Sequence, residues 1–259
     1  MSFRRLIALA ALPLVLAGCS APSFEVTPRI LNLDLDGSFR AGSGASNSSS
    51  SWDRLGLDDE PTDFSPRLDL YAGAMQLTFD AAQGRYSGNG ALDGQIDLDG
   101  VTIPASASVD SDLDFGIYRL TSTFDLLPSE RGQLGIGVGL AAVDVKASIV
   151  DTLTTNSANT DELVPVPYAA LRAGVDFGDL EVQGLLGVLS LDVGDNEATY
   201  VDADVYARYF LLGGEDHVRA AIVLGYRSID LDVSYDDGDD RVDFDVQVSG
   251  PYLGVTVVF

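Results

Sequence analysis

Apolar residues recur at every second position along most of the chain, the period of a β-strand with two unlike faces. The last stretch is the clearest. Pro251, Leu253, Val255, Val257 and the terminal Phe259 share one face, while Gly250, Tyr252, Gly254 and Thr256 share the other. The same pattern predicts strands over 29–39, 67–79, 85–98, 101–126, 133–150, 165–177, 180–193, 198–211, 217–235 and 241–259. In the first of these Leu31, Leu33, Leu35 and Phe39 oppose Asn32, Asp34 and Asp36. Residues 41–51 are a Gly/Ser/Asn tract, and 52–66 are acidic with two prolines; together they read as a long loop.

Within several strands the alternation changes phase. Leu134, Ile136, Val138 and Leu140 share one parity, whereas Val143, Val145 and Ile149 share the other. Similar switches occur at Val188-Leu189, near Arg227-Ser228 and around Gly250-Pro251. One inserted residue turns every following side chain over, so each switch predicts a β-bulge or a break where the wall bends or leaves the membrane. The alternative is that the upper halves form a solvated extension, in which either face can be polar. Counted back from Phe259, every second connection is short: 212–216, 178–179, 127–132 and 80–84. Among the others, 151–163 and 41–65 are long. Strands entering the short turns carry Phe79, Phe124, Phe177, Tyr209 and Phe259 near their ends, which predicts an aromatic girdle at one level.

The terminal aromatic strand, the loop asymmetry and the alternation resemble bacterial outer-membrane β-barrels of the small OmpA and OmpX class. The resemblance covers residues 29–259. It implies an all-β fold, an antiparallel up-and-down transmembrane barrel of about eight to ten strands closed by the C-terminal strand. It also implies that Tyr252, Leu253, Val255, Val257 and Phe259 form the signal read by the barrel-assembly machinery.

The N-terminus supplies an address. Arg4 and Arg5 precede an apolar run, Leu6 to Ala17, too short for a stable membrane span, so residues 1–18 read as a secretory signal peptide. Leu16-Ala17-Gly18-Cys19 resembles the bacterial lipobox. That implies a lipoprotein of the Gram-negative cell envelope, lipidated at Cys19 and served by the lipoprotein-sorting machinery. Ser20 in place of Asp implies the outer membrane. Residues 19–28 are then a tether. Cys19 is the only cysteine, so no intramolecular disulfide forms.

Charge narrows the partners. The formal charge is −25, and loss of Arg4 and Arg5 with the signal takes it to −27. Nucleic acid, which needs Lys and Arg against its phosphates, is excluded as a partner. Outer-membrane lipid and lipopolysaccharide are the expected surroundings, with the acids in loops or lumen. Facing assignments place Arg119, Arg172, Asp176, Glu181, Gln183, Asp202, Asp204, Tyr206, Arg208, Arg219 and Arg227 inside. Arg and acid in similar numbers predict a paired network that plugs the lumen. A barrel of about eight strands is filled by its own side chains, whereas an open porin-like channel needs about sixteen.

Catalytic chemistry is sparse. The one histidine, His217, falls beside Asp216 at a predicted inner turn, away from any outer-rim serine, so no catalytic residue is assigned and no enzyme is expected. No His/Cys metal cluster is available. Asp237, Asp239 and Asp240 lie in an outer loop flanked by Asp230 and Asp232 on one strand and Asp243 and Asp245 on its partner. Hard oxygen ligands of this kind suit Ca²⁺, although the spacing is not that of an EF-hand. Asp110, Asp112 and Asp114 form a second acidic ladder. Three functions follow as expectations: a non-enzymatic barrel with a structural or surface-interaction role, a narrow channel for a small solute or ion, and a membrane-tethered soluble barrel holding an apolar ligand.

Overall fold

The computed structural model describes residues 22–42, 49–57, 62–98, 101–126, 131–154, 156–193, 196–212, 218–236 and 241–259. The predicted signal, lipobox, Cys19, His217, Asp237, Asp239 and Asp240 lie outside the described residues. Fourteen strands are described. They are β1 (Ser23–Asn32), β2 (Asp34–Gly42), β3 (Ser50–Ser51), β4 (Thr62–Ala72), β5 (Met75–Ala91), β6 (Ile96–Leu98) and β7 (Val101–Ile103), followed by β8 (Ser108–Asp125), β9 (Gly132–Asp151), β10 (Ser157–Asp176), β11 (Leu180–Val193), β12 (Asn196–Leu212), β13 (Arg219–Asp236) and β14 (Arg241–Val258).

Ten of these form a closed antiparallel barrel in the order β1-β4-β5-β8-β9-β10-β11-β12-β13-β14, sealed by β14 against β1. The barrel is all-β and up-and-down, and the closing strand is the terminal one. β2 continues β1 along the same edge of β14: Asp34 opposes Ser249 and Leu31 opposes Tyr252, so the register is unbroken across Leu33. Gly250 lies at this handover, where an added Cβ would strike the Asn32 carbonyl oxygen at 1.7 Å.

Several boundaries differ from the sequence reading. The predicted long connection over 151–163 is mostly strand, because β10 starts at Ser157. The predicted strands over 85–98 and 101–126 divide into the end of β5, the whole of β8 and the separate β6–β7 hairpin. The first strand starts at Ser23, so Glu25 and Thr27, predicted as tether, belong to the wall. The predicted turn over 80–84 is mid-strand; the reversal is at Gly73-Ala74, where Gly73 has φ 62°. Turn-like composition at Asp80 and Gly84 misled, whereas the left-handed residue that closes the turn is Gly73.

The predicted bulges are absent at the phase switches, but a break does occur at one of them: the β10–β11 pairing ends at Ala169↔Val188, beside the Val188-Leu189 switch. β8–β9, β9–β10, β11–β12 and β13–β14 keep continuous register through all of them, and the one shift in the wall strands' pairing lies between Phe210 and Leu212. What inverts is polarity. In β9 the outward set runs Ile136, Val138, Leu140, then Asp144 and Lys146; the inward set runs Gly137, Gly139, then Val143, Val145 and Ile149. Lower down the outside is apolar and the inside polar. Higher up the barrel continues as an extension with an apolar interior and a charged outside. An unbroken strand carries both halves because its side chains alternate regardless of which face is dry.

The extension's interior is filled partly by residues 50–57. Trp52, Leu55 and Leu57 are each 2% exposed or less, and Trp52 stacks on Phe39 at 6.1 Å and meets Phe244 edge-on at 5.8 Å. The Trp52 indole N–H donates to the Asp245 carbonyl at 3.2 Å. Gly88 lets this segment approach: a Cβ there would meet the Gly56 carbonyl oxygen at 1.8 Å.

Candidate functional site

Alternation aims one residue in two from every wall strand at the barrel axis, and in the lower half these are arginines, carboxylates and hydroxyls. Arg29, Arg67, Arg119 and Arg227 meet Asp69, Asp80, Asp202 and Asp204 at mid-height, all 4% exposed or less. Arg119 lies 2.7 Å from Asp80, and Arg227 bridges Asp80 at 2.9 Å and Asp202 at 2.8 Å. Arg119 Nη1 also stands 2.8 Å from Asp202, an ion pair whose angle falls short of a hydrogen bond. Arg29 and Arg67 converge on Asp204 at 3.2 and 3.4 Å, and Arg67 pairs with Asp69 at 2.7 Å. Four positive charges face four negative ones.

Neutral groups complete the network. The Tyr252 hydroxyl donates to Asp204 at 2.6 Å and the Tyr200 hydroxyl to Asp202 at 2.9 Å. Gln76 and Thr78 donate to Asp69 at 2.7 and 2.6 Å. Arg29 and Arg67 lie over the Tyr252 and Tyr206 rings at 4.9 and 4.8 Å. A lower tier joins Arg208 to Glu25 and Glu181, with the Tyr206 hydroxyl on Gln183 at 2.8 Å. Arg172 takes Asp125, Gln133 and Thr123. Voids beside these groups measure about 10 and 30 Å³, room for a water or two. Charges in a dry wall persist only when paired, and the pairing here leaves only these small voids around the network.

The predicted lumen residues Arg119, Arg172, Glu181, Asp202, Asp204, Arg208 and Arg227 are thus brought together. Arg219 is partly exposed and stacks instead over Phe210, 3.7 Å from the ring centre, and Asp176 caps the Gly178 N–H of the adjoining turn. Glu25, Arg29, Arg67, Asp69 and Asp80 were missed. The misplaced tether and turn hid Glu25 and Asp80, whereas Arg29, Arg67 and Asp69 lay within predicted strands and were not assigned to the lumen.

On the outside, Phe124, Phe177, Tyr209 and Phe259 are exposed at the short-turn end, with Phe24 stacked on Phe259 at 4.7 Å. Phe79 is exposed too but stands higher, opposite Leu120, because its turn is at Gly73. Of the closing strand, Leu253, Val255, Val257 and Phe259 face outward and Tyr252 faces the lumen. From Pro251 to Phe259 the outward positions cover about 27 Å of strand, hence about 20 Å of height at a typical ~40° tilt.

The acidic candidates lie on the extension's outer surface. Asp232 opposes Asp245 across the β13–β14 pair. Partial burial, then the neighbouring Asp232, Asp230 and Asp36 carboxylates, hold the Asp245 carboxyl above its ordinary range. Asp243 instead takes Arg40 at 3.3 Å and the Ser234 hydroxyl at 2.9 Å. Among the described residues, no three His, Cys, Asp or Glu side chains are placed to hold a metal ion.

No family model and no curated protein matches the chain. It is similar in structure to the outer membrane protein AlkL in DMPC lipid bilayers, at 13% identity over 94% of this chain and 92% of that one, TM-score 0.39. Ail, the attachment invasion locus protein of Yersinia pestis, gives 13% identity over 91% and 99%, TM-score 0.32. The Ralstonia pickettii toluene transporter TbuX gives 7% identity over 93% and 90%, TM-score 0.36. At these scores the barrel rests on this chain's own strand pairing and facing.

Proposed function

We propose that this chain is a non-enzymatic outer-membrane β-barrel lipoprotein of Gram-negative bacteria, anchored additionally through Cys19, whose barrel holds an acidic extension at the cell surface. The carrying observation is the inversion of polarity along unbroken strands. An apolar belt around a polar, ion-paired lumen with room for only a water or two suits lipid outside and no continuous water path inside; the reversed order above it suits an aqueous surface. Under this reading the terminal strand, with Leu253, Val255, Val257 and Phe259 outward, is the assembly signal. The role is structural or adhesive, among outer-membrane lipid and lipopolysaccharide.

Two rival functions are weighed by the same features. A tethered soluble barrel with an apolar ligand inside needs an apolar interior throughout, which fits the extension but not the charged lower lumen. An ion or solute channel needs an open axis, and the paired Arg/Asp network opposes it. Planar-bilayer recording of the purified protein tests the proposal. The expected result is no steady conductance, while stable ohmic steps in the wild type support the channel instead.

A further inference from the structure

Two parts of the wall are not closed by strand pairing: β10 and β11 part above Ala169↔Val188, and β4 and β5 part likewise. β4 and β5 are paired only from Ala72↔Met75 to Arg67↔Asp80. Above that level β4 pairs with β1 alone and β5 with β8 alone. Beside the parting lies a cleft of about 370 Å³ on the outer surface, within the size range of small-ligand sites.

Its lining is ordered in rows by the strand register. The upper row runs Arg85, Asp114, Lys146 across β5, β8 and β9, with Asp161 of β10 next in register beyond the cleft. The next runs Gln83, Gly116, Asp144, and below it stands Tyr118. Gly116 therefore leaves a bare floor framed by polar groups of both signs. Packing does not demand that glycine: a Cβ there would meet nothing nearer than Tyr118 Cε2 at 3.5 Å, an ordinary contact. Gln83 donates to the Tyr118 hydroxyl at 2.6 Å, fixing the lower rim. Tyr118 and, further down, Leu120 are exposed on the apolar belt.

We infer that this cleft binds the phosphoethanolamine headgroup of a membrane lipid, with the acyl chains descending over Tyr118 and Leu120. Arg85 and Lys146 are the cations for the phosphate. Asp144, and Asp63 across the parting, are the acceptors for the amine. Present partners do not forbid it: Lys146 is 3.9 Å from Asp161 and 4.0 Å from Asp144, and the Arg85–Asp114 pair at 2.6 Å is exposed, so exchange is cheap. A purely anionic headgroup would face Asp63, Asp114 and Asp144 against two cations, a net repulsion. A zwitterion satisfies both signs.

The inference rests on the membrane reading, and one experiment separates the two. The full chain is reconstituted in nanodiscs of equal phosphatidylethanolamine and phosphatidylglycerol, released into mild detergent, and its retained lipid read by native mass spectrometry. Retention of phosphatidylethanolamine at least about fivefold over phosphatidylglycerol is expected. Gly116→Leu, which fills the floor, and Lys146→Glu should each abolish that preference while the barrel stays heat-modifiable. Equal retention of the two lipids, or a preference untouched by both variants, overturns the inference alone. A chain that does not enter nanodiscs overturns the membrane reading and this site with it.

Discussion

Asp80 is the residue on which the lumen most depends. It takes Arg119 at 2.7 Å and Arg227 at 2.9 Å, with Arg29 at 3.9 Å, and is fully buried. Asp80→Asn keeps the shape but leaves these guanidiniums short of one counter-charge in a dry wall. Breaking a buried pair from one side costs about 3–5 kcal/mol. We expect that loss in urea unfolding from lipid vesicles, together with a lowered temperature of heat modification. An unchanged transition would mean that water already reaches the network. Asp245 acts in the opposite sense. Its folded-state pKa is raised, so its charged form weakens the extension; that penalty is full above the raised value and fades as pH falls toward the ordinary 3.8. Acidification from pH 7 to about 4.5 should therefore raise the melting temperature of the extension, and Asp245→Asn should blunt the rise. If the carboxylates bind Ca²⁺ as proposed from the sequence, millimolar calcium at pH 7 should act in the same direction, again less in the variant. No difference between variant and wild type in either titration would sink the account of this cluster.

At the scale of elements, the segment 50–57 closes what the wall strands leave open. β4 begins only at Thr62, opposite Asn32, and above that level Trp52, Leu55 and Leu57 occupy the interior beside β2 and β5. Large-to-small changes at fully buried aromatics cost about 3–5 kcal/mol. Trp52→Ala should accordingly expose the 50–57 segment to protease at low enzyme concentration and leave the lower barrel intact. Cleavage rates equal to wild type would show that the segment is held by its backbone contacts at Gly56 and Gly88 rather than by the indole. The belt is built by a different rule: each strand need only keep its outward positions apolar over its lower half.

For the whole molecule, ring closure is what combines these parts. Ten strands with β14 on β1 leave the lower wall without an edge, so its unfolding is expected to be cooperative and slow. On gels of purified membranes the unboiled protein should migrate differently from the boiled one. Identical mobility, with release from the membrane after removal of the lipidated N-terminus, would favour the tethered soluble barrel.

The chain's own pattern determined the all-β class, the terminal closing strand, the exposed aromatics and most of the arginines and carboxylates of the lumen, because period-two facing is a local property of a strand. It misled where local composition imitates something else: Asp80 to Gly84 has the look of a turn, and Ser20 to Pro28 that of a tether. The phase switches were legible, but a bulge and a solvated extension could not be told apart from them. A change of parity is the same in sequence whether the strand slips by one residue or its surroundings exchange oil for water. Only the tertiary structure, with register unbroken through Arg227-Ser228 and Gly250-Pro251, showed that the strand does not slip and that the apolar residues change face instead. The pairing of Arg29 with Asp204, 175 residues away, was likewise beyond any local signal, since it exists only once the sheet has closed on itself.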